Sequence, residues 1–115
     1  MRHVTKKFGS MALALGVLAQ GSWAADTTLR FSWWGGGERH EATLAAIKAF
    51  EAKNPGVTIK GEYGGFQGYV DKLAVQIAGS VEPDIIQSDW AWIYQFSREG
   101  NGFSDLKKSG QIQLD

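Results

Sequence analysis

No cysteine occurs among the 115 residues. That excludes a disulfide framework, a thiolate zinc site, an iron–sulfur cluster and a cysteine nucleophile. An excess of charge is also missing, since 12 basic side chains stand against 12 acidic ones. Binding to nucleic acid or to an anionic membrane surface needs Lys and Arg gathered on one face, so nucleic acid is not an expected partner. No segment approaches the roughly 20 consecutive apolar residues of a membrane span. The length allows one small domain at most, and no internal repeat or low-complexity tract is present.

What is present begins at the N-terminus. Arg2, Lys6 and Lys7 precede an apolar run from Phe8 to Ala19, and Ser22-Trp23-Ala24 supplies a small-x-small ending. A basic region, an apolar stretch too short to span a bilayer and a small-residue site make a secretory signal peptide over residues 1–24, with cleavage expected between Ala24 and Ala25. The mature chain is then residues 25–115. Losing three basic residues leaves nine against 12 acidic ones, a mildly acidic product of net charge −3. Lipid anchoring at the new N-terminus needs a cysteine, so no membrane anchor is expected, and the periplasm is the expected compartment in a bacterium.

The mature chain alternates two periods. Residues 28–34 alternate apolar and polar side chains and read as a strand that stops at Gly35-Gly36-Gly37. From Glu38 the apolar positions Leu44, Ile47 and Phe50 fall on one helical stripe, which Asn54-Pro55-Gly56 ends. Val57, Ile59 and Tyr63 mark a second strand, broken by Gly64-Gly65-Phe66-Gln67-Gly68. Tyr69, Val70, Leu73, Ala74 and Ile77 define a second amphipathic helix to about Ala78. Pro83 introduces a third strand, Asp84 to Ser88, and Asp89 reads as the N-cap of a helix from Trp90 to Arg98 that Gly100 closes. Phe103 and Leu106 are possible anchors in an otherwise polar tail.

Three strand–helix repeats of this kind form an α/β fold with a parallel sheet. In such sheets a ligand sits beyond the carboxyl ends of the strands, so the three strand-to-helix loops are expected on one rim. They carry Trp33 to Glu38, Tyr63 to Gly68, and Asp89, Trp90 and Trp92. Aromatic faces stack on the apolar C–H faces of a sugar while carboxylates and amides bond its hydroxyls, so this set suits carbohydrate. Trp33 shares parity with Leu29 and Phe31 and reads as core, whereas Trp34 has the better claim to a ligand. Glu38 is either favourable charge in a helical first turn or a ligand contact, and Asp89 is either a cap alone or a cap that also binds. Trp90 is the strongest ligand candidate, Phe66 and Gln67 sit in an exposed glycine-rich loop, Tyr69 reads as helix packing, and Trp92 packs or binds.

Rival constellations are incomplete. Gly35-Gly36-Gly37-Glu38-Arg39-His40 lacks the third glycine of a dinucleotide fingerprint. No Walker motif or Gly-x-Ser-x-Gly elbow occurs, and His40 is the one histidine beyond the leader, so neither a triad nor a histidine metal site has support. No cofactor is expected. Glu38, Glu62 and Asp89 leave a glycosidase open as the alternative.

Three stretches resemble the N-terminal lobe of family 1 extracellular solute-binding proteins, the sugar-binding components of bacterial ABC importers. They are Leu29-Arg30-Phe31-Ser32-Trp33-Trp34-Gly35-Gly36, the run from Ala49 to Val57, and Glu82-Pro83-Asp84-Ile85-Ile86-Gln87-Ser88-Asp89-Trp90. The resemblance implies a monomeric periplasmic protein that closes two lobes on a mono- or oligosaccharide and delivers it to an inner-membrane permease, without catalysis. It places ligand contacts at Trp34, Gly36, Gly37, Glu38, Tyr63, Phe66, Gln67, Asp89 and Trp90. Family members are several times longer, so residues 25–115 correspond to part of one lobe, and a non-binding relic is a third reading.

Overall fold

Alternating side chains and aromatic bulk make the first strand, β1 (Thr27–Trp34), in a computed structural model that describes residues 25–110. The proposed cleavage point therefore straddles the boundary: Ala24 and the rest of the leader lie outside the described residues, and Ala25 begins them. The chain continues through α1 (Gly37–Lys53), β2 (Val57–Gly64), α2 (Tyr69–Ala78), β3 (Ile85–Ile86) and α3 (Trp90–Phe96). All three strands are parallel, as the alternating pattern predicts, and the structure sets them in the order β2-β1-β3.

Strand parity assigns the helices to opposite faces. Leu29 and Phe31 of β1, with Ile59 of β2, meet Ile47 and Phe50 of α1 around an open apolar cavity of about 390 Å³. On the other face Ser32 and Glu62 meet Tyr69 and Gln76 of α2 through hydrogen bonds. Because α1 leads from β1 to its neighbour β2 while α2 leads from β2 across to β3, the connections diverge at β1. The gap between the carboxyl ends of β1 and β3 is thus a topological switch point, where open parallel sheets leave a crevice.

Two side chains carry the packing. Trp33 and Leu73 are each 1 % exposed, on opposite sides of the sheet, and burying a side chain of leucine size is worth about 1.5–3 kcal/mol. Trp33 reaches over β2, where its ring stacks on Tyr63 at 4.7 Å between centroids. Only glycine fits beneath it: a Cβ on Gly61 would lie 2.6 Å from the indole. The α2 stripe holds, with Tyr69 and Leu73 buried and Val75 turned outward.

Three expectations need correction. The α1 stripe is buried at Ile47 alone, while Leu44 and Phe50 remain exposed, Phe50 along the open side of the apolar cavity. The third strand is two residues long rather than five, because side chains replace its ladder at both ends. The Asp84 carboxylate accepts the Arg30 backbone N–H at 2.8 Å, and the Gln87 side-chain oxygen accepts that of Trp34 at 3.1 Å. Finally α3 stops at Phe96 rather than Arg98, since Ser97 leaves helical geometry and its hydroxyl accepts the Gly102 N–H at 2.8 Å.

Candidate functional site

The rim at the carboxyl ends of the strands is built around Trp34, the last residue of β1. Its alternation with Trp33 sends it to the α2 face, where it meets three other rings. Tyr69 lies 5.0 Å away, Trp92 5.1 Å and Phe66 5.8 Å, centroid to centroid. Phe66 and Trp92 are nearly parallel at 5.9 Å. The four rings come from the end of β1, the β2–α2 loop and the first turns of α2 and α3, so the fold gathers them although the sequence separates them.

Hydrogen bonds fix this frame. The Tyr69 hydroxyl donates toward the carbonyl oxygens of Gln87, at 2.9 Å, and Ser32, at 3.1 Å, tying α2 to β1 and to the residue after β3. Burial raises the Tyr69 phenol above its ordinary pKa, which keeps it protonated as the donor. Gln87 also donates its backbone N–H to Ser32 at 2.8 Å. Beneath the rim, Glu62 accepts Arg30 Nε at 2.6 Å and Gln76 Nε2 at 3.1 Å. The Arg30 hydrogen bond lowers the Glu62 carboxyl below the usual carboxylate range against the opposing effect of burial. The same bond raises the Arg30 guanidinium, whose Nη1 also donates to the Val81 carbonyl at 2.8 Å.

The candidate ligand residues do not all share one surface. Trp34 and Phe66 sit in the ring cluster, Phe66 being 59 % exposed. Gln67 is exposed on the same loop. Gly36 is the N-cap of α1, Gly37 its first residue and Glu38 an exposed carboxylate in its first turn. Asp89 caps α3, its Oδ1 accepting the Ala91 N–H at 2.9 Å. Trp90 is 84 % exposed and has no ring neighbour among the described residues. Tyr63 lies across the sheet, with its ring against Trp33 and His40, and His40 Nδ1 accepts the Trp33 indole N–H at 3.1 Å. The four tryptophans of the loops are therefore divided: Trp33 is core, Trp34 and Trp92 touch, and Trp90 stands apart.

Trp92 belongs with the candidates although the sequence leaves its role open. The available signal is helical spacing, because Trp92 and Phe96 are four apart and both half-buried while Trp90, Ile93 and Tyr94 are exposed. Among the described residues no group of three His, Cys, Asp or Glu side chains is placed to hold a metal, and no helix is long and apolar enough to cross a membrane.

The chain has relatives of known structure. Residues 35–111 match the family model for bacterial extracellular solute-binding proteins. A periplasmic solute-binding protein of Pectobacterium atrosepticum is 57% identical, with a TM-score of 0.68, over 71% of this chain and 20% of that one. A periplasmic oligogalacturonide-binding protein of Yersinia enterocolitica, in complex with saturated digalacturonic acid, is 43% identical over 76% of this chain and 22% of that one, with a TM-score of 0.73. A chain described as a de novo designed cysteine esterase is also 43% identical, over 72% of this chain and 20% of that one, at a TM-score of 0.70.

The parallel three-stranded α/β sheet matches the fold of solute-binding proteins. The chain belongs to the bacterial extracellular solute-binding protein family, and it spans about a fifth of the length of the solved relatives it matches.

Proposed function

We propose that this chain forms part of the binding lobe of a periplasmic carbohydrate receptor that serves an ABC importer. The observation that carries the reading is the meeting of Trp34, Phe66 and Trp92 at the switch-point rim, where ring faces and edges are offered beside the Gln67 amide and the Asp89 carboxylate. Sugar rings stack on such surfaces through their C–H faces. The Yersinia enterocolitica relative, in complex with digalacturonic acid, supports a saccharide as the solute class. In this reading Trp34, Phe66, Gln67 and Trp92 form the ligand wall, Gly36, Gly37, Glu38, Asp89 and Trp90 extend the rim from the starts of α1 and α3, and Tyr63 acts behind it through the Trp33 stack.

Delivery to the periplasm rests on the leader of residues 1–24 with cleavage after Ala24, and uptake rests on docking to an inner-membrane permease. Glu62 does not supply the general acid of a glycosidase. Its carboxylate is committed to Arg30 and Gln76 and is held ionised, the opposite of what a general acid needs. Thiol-based ester hydrolysis has no residue to perform it, since the sequence contains no cysteine.

Titration calorimetry of the full chain against a saccharide panel that includes digalacturonic acid tests the reading. Saturable binding is expected, weakened by Phe66→Ala at an unchanged melting temperature because Phe66 is exposed. Release of a reducing end from any saccharide in the panel would move the protein to the glycosidase class.

A further inference from the structure

Ser32 is buried, with 4 % of its surface exposed, yet its hydroxyl makes no hydrogen bond within the described residues. Its carbonyl, in contrast, is doubly used by Tyr69 and Gln87. No side-chain oxygen or nitrogen among the described residues is both sealed from solvent and unpaired, so the Ser32 hydroxyl is open to the space it borders. That space is a cavity of about 140 Å³ between the ends of β1 and β2 and the first turns of α2. A hydroxyl that faces a cavity and has no protein partner is free to bond whatever polar group enters there.

The other walls say which occupant fits. Glu62 presents a carboxylate whose charge is already matched by Arg30 at 2.6 Å. Lys72 stands at 3.8 Å from the same carboxylate with a side chain 61% exposed, leaving its ammonium free to donate. Gln67 and Tyr69 complete the lining used here, and Tyr69 also touches Trp34, so one ring is the common wall of the cavity and the aromatic rim. His40, the one histidine among the described residues, lies across the sheet beside Trp33 and away from Ser32. A metal ion has a single carboxylate to hold it in this cavity.

We propose that this cavity is a second contact region for the ligand, taking a hydroxyl-bearing arm of a sugar. The Ser32 hydroxyl and the Glu62 carboxylate accept, and Ser32 and the Lys72 ammonium donate. The inference rests on the carbohydrate reading of the rim and names which edge of the sugar the lobe recognises.

Calorimetric titration of the full chain with two probes, digalacturonic acid and the neutral disaccharide galactobiose, tests it. Ser32→Ala is expected to weaken whichever saccharide binds by about five- to tenfold, and Lys72→Met by a similar factor. The melting temperature of Lys72→Met should stay unchanged, since that side chain is mostly exposed, and it keeps the test decisive if Ser32→Ala fails to fold. Unchanged affinity in both variants means the cavity holds water only and overturns the inference while the rim reading stands. Loss confined to digalacturonic acid in Lys72→Met, with Ser32→Ala silent, means a carboxylate occupies the cavity and also overturns it. If neither probe binds the unaltered chain, the carbohydrate reading fails and this inference falls with it.

Discussion

The hydroxyl of Tyr69 lies 2.9 Å from the carbonyl oxygen of Gln87 and 3.1 Å from that of Ser32, so one buried side chain on α2 ties β1 to the residue after β3. Tyr69→Phe keeps the ring against Trp34 and removes this clasp. A stability loss of about 0.5–1.5 kcal/mol is expected in urea unfolding. Burial raises the phenol pKa in the fold, so its contribution is present below the ordinary value of 10.0 and lost as the pH rises through the raised one. The variant should lack that alkaline component, and an identical alkaline limb in both proteins would contradict the assignment.

Trp33 can lie across β2 because Gly61 has no side chain. In Gly61→Ala the new Cβ would meet a rigid indole that is 1 % exposed and has nowhere to retreat. Overpacking of this kind costs about 1–3 kcal/mol. The expected signature is a lowered midpoint with an altered tryptophan near-ultraviolet spectrum, and a neutral substitution would show that the indole moves freely.

Arg30 and Glu62 join β1 to β2 on the α2 face, and Arg30 also holds the segment before β3. The folded pKa of Glu62 is depressed, chiefly by the Arg30 hydrogen bond. Its contribution is therefore present above the unfolded value, about 4.3, and is lost as the pH falls through the lower folded value. Thermal melts between neutral and acid pH should show this loss in the parent protein and a shallower one in Glu62→Gln. Both partners are partly exposed, so added salt should reduce the difference.

Much of this architecture was legible from periodicity. The two long helices, the first two strands, the parallel order and the Asp89 cap follow from local pattern, because each depends on residues close in sequence. Parity also identified Trp33 as core. The shortness of β3 was not legible, since it depends on Asp84 and Gln87 side chains taking N–H groups of a strand more than fifty residues earlier. Nor was the division of the rim: Tyr63 lies on the α1 face because the register sets it opposite Trp33, and register is a property of the pair. Trp92 joined Trp34 only once the course of α3 was fixed.

Asp89 separates capping from recognition within one residue. Its Oδ1 accepts the Ala91 N–H at 2.9 Å, and the chain then presents Trp90, 84 % exposed, at the same helix start. Asparagine caps almost as well as aspartate, so Asp89→Asn should leave the melting temperature nearly unchanged. If the carboxylate also accepts sugar hydroxyls, the lost charged acceptor is worth about 1.5–3 kcal/mol, or roughly ten- to more than a hundredfold in dissociation constant. Trp90→Ala should weaken binding at unchanged stability, because an exposed ring contributes little to the fold, and Trp90→Phe should restore part of the affinity by returning a ring face. The phenylalanine variant is the sharper control, since a lost stacking surface is recovered by any aromatic ring whereas a lost indole N–H hydrogen bond is not. Calorimetry on all three proteins decides the matter, and unchanged affinity in both Asp89→Asn and Trp90→Ala would remove the β3–α3 loop from the ligand wall.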